Sequence, residues 1–123
     1  MTESAQHPWS IVYYQEANGL YPAAEFVLGL SEAASATLQR DFDLLEEFGL
    51  AVGFPTVRPV ASVRKLWELR TKTADGAVRL FYVAYTGRQF VILHGFIKKT
   101  AKTPKRELKT AIKRLRDLLA QEV

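Results

Sequence analysis

Apolar positions change their period along this chain, and each change predicts an element. Residues 9–14 (WSIVYY) are aromatic and β-branched, and Asn18-Gly19 closes them with a turn signal, so they read as a first strand. Apolar character on both faces predicts that this strand lies inside a sheet and not at its edge. Pro22 opens a short helical turn that carries Phe26 and Val27 and stops at Gly29. Ser31 is a good N-cap for the next helix, where Ala34, Leu38, Phe42, Leu45 and Phe48 recur at helical spacing up to Gly49. The two helices predict a hairpin packed on one side of a sheet. Gly53, Pro55 and Pro59 make residues 50–65 read as an irregular connector.

From Leu66 the period becomes two. Trp67 and Leu69 are expected to face the core, and Arg70, which shares its face with Leu66 and Glu68, the opposite surface. Asp75-Gly76 is a hairpin turn signal, residues 77–85 are apolar on both faces apart from Arg79, and Thr86-Gly87 turns again. On the returning strand, residues 88–99, strict alternation places Phe90, Ile92, His94, Phe96 and Lys98 on one face. Val91, Leu93, Gly95, Ile97 and Lys99 fall on the other. Thr103-Pro104 predicts an N-cap followed by the first helical position. Leu108, Ala111, Ile112, Leu115, Leu118 and Leu119 then form a stripe that docks on the sheet. Lys105, Arg106, Lys109, Lys113, Arg114 and Arg116 are left for its outer face. The expected fold class is α+β: a first strand and a three-strand meander, mainly antiparallel, backed by the helix hairpin and a basic C-terminal helix. One domain spans residues 1–123, with a flexible arm at residues 1–8.

Charge sharpens this picture. Residues 1–57 hold one base, Arg40, against eight acids, a net −7; residues 58–123 hold sixteen bases against five acids, a net +11. Such polarity suggests one face for a polyanion and another turned away from it, against the plainer reading that charge merely segregates by helix. The absence of cysteine excludes disulfides, thiolate metal sites and a cysteine nucleophile. No apolar run is long enough to span a membrane and the first ten residues have no signal-peptide core, so a cytoplasmic protein without membrane contact is expected.

Candidate chemistry is sparse. No phosphate-cradling glycine loop, zinc spacing or nucleophile elbow occurs, so no cofactor or metal is implied. Asp41, Asp43, Glu46 and Glu47 cluster on the second helix, as a solvated face or a metal site. His7, beside Pro8, reads as solvated. What remains is a cationic set at strand ends: Arg70, Arg79, Lys98 and Lys99. Converging cations suit a phosphodiester, whose non-bridging oxygens gather charge in the transition state; each cation alone is equally an ordinary surface residue.

The segments LWELR, RLFYV and VILHGFIKK, with KTP before a basic amphipathic helix, resemble the HigB-like branch of the RelE/ParE toxin superfamily. The resemblance covers residues 9–120 in the same element order. It implies a RelE-like fold and a phage-derived type of toxin, paired with a helix-turn-helix antitoxin (HigA-like). Toxins of the HigB kind cut messenger RNA on the ribosome without a metal, the ribose 2′-hydroxyl attacking the adjacent phosphate. Carried onto this chain, Arg70 and Arg79 become phosphate clamps, and Lys98 and Lys99 candidates for leaving-group protonation and charge stabilisation. His94 is either catalytic or a satisfied structural histidine, and Tyr82 either stacks on a base or lies in the core. Arg58, Lys65, Lys102, Lys105, Arg106, Lys109 and Lys113 would hold RNA by phosphate contacts, or seat an acidic antitoxin segment. The chain departs from several members in having no histidine or aromatic residue beyond Phe96 to serve as acid or base. A ParE-like gyrase inhibitor and a non-catalytic RNA-binding module are the competing readings, since fold alone does not separate them.

Overall fold

The computed structural model describes residues 8–53 and 56–121; His7, Pro55 and the arm at residues 1–7 lie outside the described residues. The elements run β1 (Ser10–Tyr13), α1 (Pro22–Leu28), α2 (Glu32–Phe48), a 3₁₀ turn (Gly49–Ala51), β2 (Val57–Pro59), β3 (Leu66–Thr73), β4 (Gly76–Tyr85), β5 (Gln89–Lys98) and α3 (Lys105–Ala120). The class is α+β, as the periodicities predict. The five strands form one sheet in the order β1-β5-β4-β3-β2, antiparallel except for the parallel β1–β5 pair.

Two expectations are corrected here. β1 is an edge strand, not an interior one. Its two apolar faces reflect helices on both sides of the sheet: Trp9 stacks on Phe90 on one side, while Tyr14 joins the cluster under α3 on the other. Glu46 protects the bare edge, accepting the Trp9 amide on its backbone carbonyl and the Ile11 amide on its carboxylate. The connector also contains a strand, since Val57–Pro59 pairs with β3. Pro59 is tolerated because β2 lies at the opposite edge, where a missing N–H breaks no ladder.

The hairpin helices cover one face. Ala23, Leu38, Phe42 and Leu45 pack with Val57, Leu69, Val78, Leu80, Tyr82, Phe90 and Ile92. Ser31 caps α2 by accepting from the Ala34 amide, as expected. Gly49 ends α2 at φ 57°, and a Cβ there would lie 2.3 Å from the Trp9 indole nitrogen, so both backbone and space require glycine. The acidic cluster is partly structural: Thr71 donates a hydrogen bond to Asp41, and Glu46 guards β1.

α3 covers part of the other face, where Ala111, Leu115 and Leu118 meet Leu66, Phe81, Val83, Val91 and Leu93. Its cap differs from expectation: Pro104 is the N-cap, with no side-chain hydrogen bond from Thr103.

Strict alternation fails on β5. Phe81 pairs with His94 and Tyr82 with Ile92, which leaves Leu93 as an extra residue in a bulge. One extra residue reverses the facing of everything after it. Phe96 therefore joins Val91 and Leu93 on the α3 face, while Gly95 and Ile97 turn to the hairpin face with Phe90 and Ile92. A Cβ on Gly95 would lie 2.5 Å from Leu80 and 2.6 Å from Phe26, so glycine is what lets α1 seat on the sheet.

Candidate functional site

The bulge assembles the site. On the sheet face that α3 packs against, cross-strand registers lay out two rows. The first runs Arg58, Glu68, Phe81, His94; the second Arg70, Arg79, Phe96. Alternation along β3 and β4 gives the two rows a common face, and the Leu93 bulge brings His94 and Phe96 onto it.

Arg70 and Arg79 are direct partners across β3–β4. Like charges so placed repel, and Glu68 offsets this. Its Oε1 lies 3.4 Å from Arg70 Nε and its Oε2 3.5 Å from Arg79 Nε. The three side chains are 28%, 13% and 7% exposed for Arg70, Arg79 and Glu68. The Glu68–Arg79 contact is an ion pair without hydrogen-bond alignment, so Glu68 Oε2 and Arg79 Nε are buried without a hydrogen-bonding partner. Burial pulls the Arg79 guanidinium below its ordinary pKa; Glu68 opposes this, and the charges of Arg70 and Arg58 add to it. Guanidinium forks match phosphate oxygens in pairs, so a cluster of this kind suits an oxyanion.

His94 lies on the same face but is fully engaged. Arg114 Nη1 sits 3.2 Å from its Nδ1, and because arginine can only donate, Nδ1 is the acceptor. Nε2 then carries the hydrogen and donates to Glu107 Oε1 at 2.6 Å. Burial holds the imidazole below its usual pKa, with the Glu107 hydrogen bond opposing and the Arg114 charge assisting. The ring stacks on Phe96 at 5.8 Å between centroids. Arg114, expected on the outer face of α3, instead turns inward and also donates to the Leu93 carbonyl at 2.9 Å, the oxygen of the bulged residue.

The remaining sequence candidates divide. Arg58 is brought opposite Glu68 on the clamp's face, and Lys98 lies one row beyond Arg79, opposite Ala77. Lys99 is past the end of β5 and borders a cleft with Phe96, Arg106 and Glu107. Lys65 projects from the β2–β3 loop, and Lys102, Lys105 and Lys109 are exposed before and along α3. Lys113 borders a different, larger cleft with Tyr14, Glu16, Arg114 and Asp117 that contains none of the β3–β4 arginines. Tyr82 is corrected outright as a base-stacking residue. It is 3% exposed on the hairpin face, edge-on to Phe90, and burial raises its phenol pKa.

Sequence reasoning passed over Glu68, Glu107 and Arg114. The signals were present. Glu68 precedes Arg70 by two strand positions, and Glu107, Ala111, Arg114 and Leu118 recur at the spacing of one buried helix stripe. Among the described residues no group of acids and histidines is placed to hold a metal ion, and no helix is long and apolar enough to cross a membrane.

This is a small α+β domain of the RelE-like kind, with Arg70 and Arg79 paired on the sheet face that α3 packs against. The chain belongs to the Gp49-like family, described as "Phage derived protein Gp49-like (DUF891)", whose family model matches residues 25–116. That family is RelE-like and toxin-like, and is associated with toxin–antitoxin systems. No curated protein matches the chain.

Proposed function

We propose that this protein is the toxin of a type II toxin–antitoxin pair, of the HigB-like branch, and cleaves messenger RNA on the ribosome. The observation that carries the reading is the Arg70–Arg79 pair held around one buried carboxylate, with Arg70 reaching the surface. The two guanidinium groups offset the charge that builds on the non-bridging oxygens of the scissile phosphate. Glu68, 3.4 Å from Arg70 Nε and 3.5 Å from Arg79 Nε, holds the two guanidinium groups in place for that phosphate. The 2′-oxygen bonds to phosphorus and gives up its proton to water as the bond to the 5′-oxygen breaks; that oxygen takes a proton from water, giving a cyclic phosphate and a free 5′-hydroxyl. Arg70 is the more exposed of the two clamp residues. His94 supports the site through Phe96 and does not exchange the proton, because both its nitrogens are engaged.

The basic N-terminal half of α3 and the β2–β3 loop would hold ribosomal RNA by phosphate contacts. A helix-turn-helix antitoxin of the HigA kind would silence the toxin by covering the same charges.

Cell-free translation with primer extension on the message tests this reading. Discrete ribosome-dependent cuts are expected, lost in Arg70→Ala and Glu68→Gln. Arrested translation with an intact message would refute cleavage. Inhibition of gyrase supercoiling would then favour the ParE-like reading.

A further inference from the structure

Beyond Arg70 and Arg79, the next cross-strand row is Lys72, Ala77 and Lys98. Alternate residues of a strand share a face, so this row continues the clamp's surface toward the β3–β4 turn. Lys72 and Lys98 stand on either side of Ala77, two strand spacings apart, or about 9.6 Å. The alanine methyl leaves a floor between the two lysine stems that any longer side chain would fill. Both clamp arginines are tied to Glu68, whereas neither lysine is ion-paired to a described residue. Lys72 is exposed and Lys98 is half-buried.

We propose that this row is a second phosphate site, in which Lys72 and Lys98 hold the phosphate adjacent to the scissile one in a single-stranded RNA crossing the sheet. The rows are two residues apart along each strand, about 6.8 Å. That is comparable to the separation of successive phosphates in an extended nucleotide chain. Lysine suits this duty: its ammonium is a point charge on a flexible stem and follows a phosphate through several orientations, while the arginine forks fix one. The identity of the first phosphate as the scissile one rests on the nuclease reading; the binding of two successive phosphates does not.

Two non-cleavable probes separate this site from the clamp. One is a 2′-O-methyl dinucleotide with a single phosphate, the other a 2′-O-methyl trinucleotide with two, both lacking terminal phosphates. Binding to the whole chain is measured across a salt series. The trinucleotide should bind more tightly, with a log–log salt slope steeper by about 0.7. Lys72→Gln and Lys98→Gln should each bring its affinity and slope toward those of the dinucleotide, and Lys72→Gln should leave dinucleotide binding unchanged. Arg70→Gln should weaken both probes. Equal binding of the two probes by the unaltered protein overturns the proposal, as do lysine variants that weaken both equally. Lysine-dependent binding of hexaglutamate without any trinucleotide preference also overturns it, and would make the row a seat for an acidic polypeptide. A lysine-dependent trinucleotide preference in a protein that leaves messages uncut would refute the nuclease reading alone.

Discussion

Arg79 faces Arg70 directly across the β3–β4 ladder, and a single carboxylate, Glu68, lies within 3.5 Å of both guanidinium groups. Two cations so close are stable only because that carboxylate is buried with them. The same arrangement leaves Glu68 Oε2 and Arg79 Nε buried without a hydrogen bond, so the Glu68–Arg79 contact rests on charge alone.

The stability of this cluster should therefore be strongly coupled. Arg79→Ala leaves Glu68 with Arg70 as its partner at 3.4 Å and should cost about 1–3 kcal/mol in urea unfolding. Glu68→Gln added to Arg79→Ala should cost less than it does alone, because the carboxylate has already lost one of its two guanidinium partners. Strictly additive effects of the two changes would contradict the coupling.

His94 makes stability depend on pH. Its folded-state pKa lies below the ordinary value because burial disfavours the imidazolium, so the unfolded chain takes up the proton first. The contribution is complete above about pH 6.5 and is lost as pH falls below it toward the folded value. Unfolding midpoints measured between about pH 5.5 and pH 7.5 should fall on the acid side, and His94→Gln should flatten that step. Identical profiles for the two proteins would show that the His94–Glu107–Arg114 network is not the source.

Gly95→Ala should destabilise by about 1–3 kcal/mol, since the added methyl meets Leu80 and Phe26 closer than atoms can pack. Combining it with Phe26→Leu should cost less than the sum of the two changes. A neutral Gly95→Ala in chemical denaturation would mean that α1 is not seated on the sheet as described.

Gly49→Ala combines a left-handed backbone with a clash against the Trp9 indole, and about 2 kcal/mol of destabilisation is expected. Because Trp9 stacks on Phe90 and bounds the sheet edge, its displacement should also shift tryptophan emission. Unchanged stability with unchanged emission would argue against this contact.

Helix and strand identities were legible because local rules suffice for them. Ser31 and Gly49 bracket α2, Asp75-Gly76 turns β3 into β4, and the apolar stripe of α3 names the face it buries. The cations Arg70 and Arg79 could be named from β3 and β4 alone, because alternation and a tight hairpin bring them together at close range. Arg114 was assigned to the wrong side of its helix. A charge was taken as evidence of exposure, whereas its guanidinium satisfies the Leu93 carbonyl and His94 inside.

Sequence by itself determined the elements other than β2, their order, the basic second half and the two arginines. Each of these depends on neighbours a few residues away. Only the tertiary structure decided that β1 lies at the edge, that residues 57–59 pair with β3, and that His94 and Phe96 turn to the clamp's face. The physical reason is that facing and edge position belong to the partner strand as much as to the strand itself. Strict alternation along residues 90–98 is compatible with either phase, and the phase changes at Leu93 only because Phe81 pairs with His94 while Tyr82 pairs with Ile92.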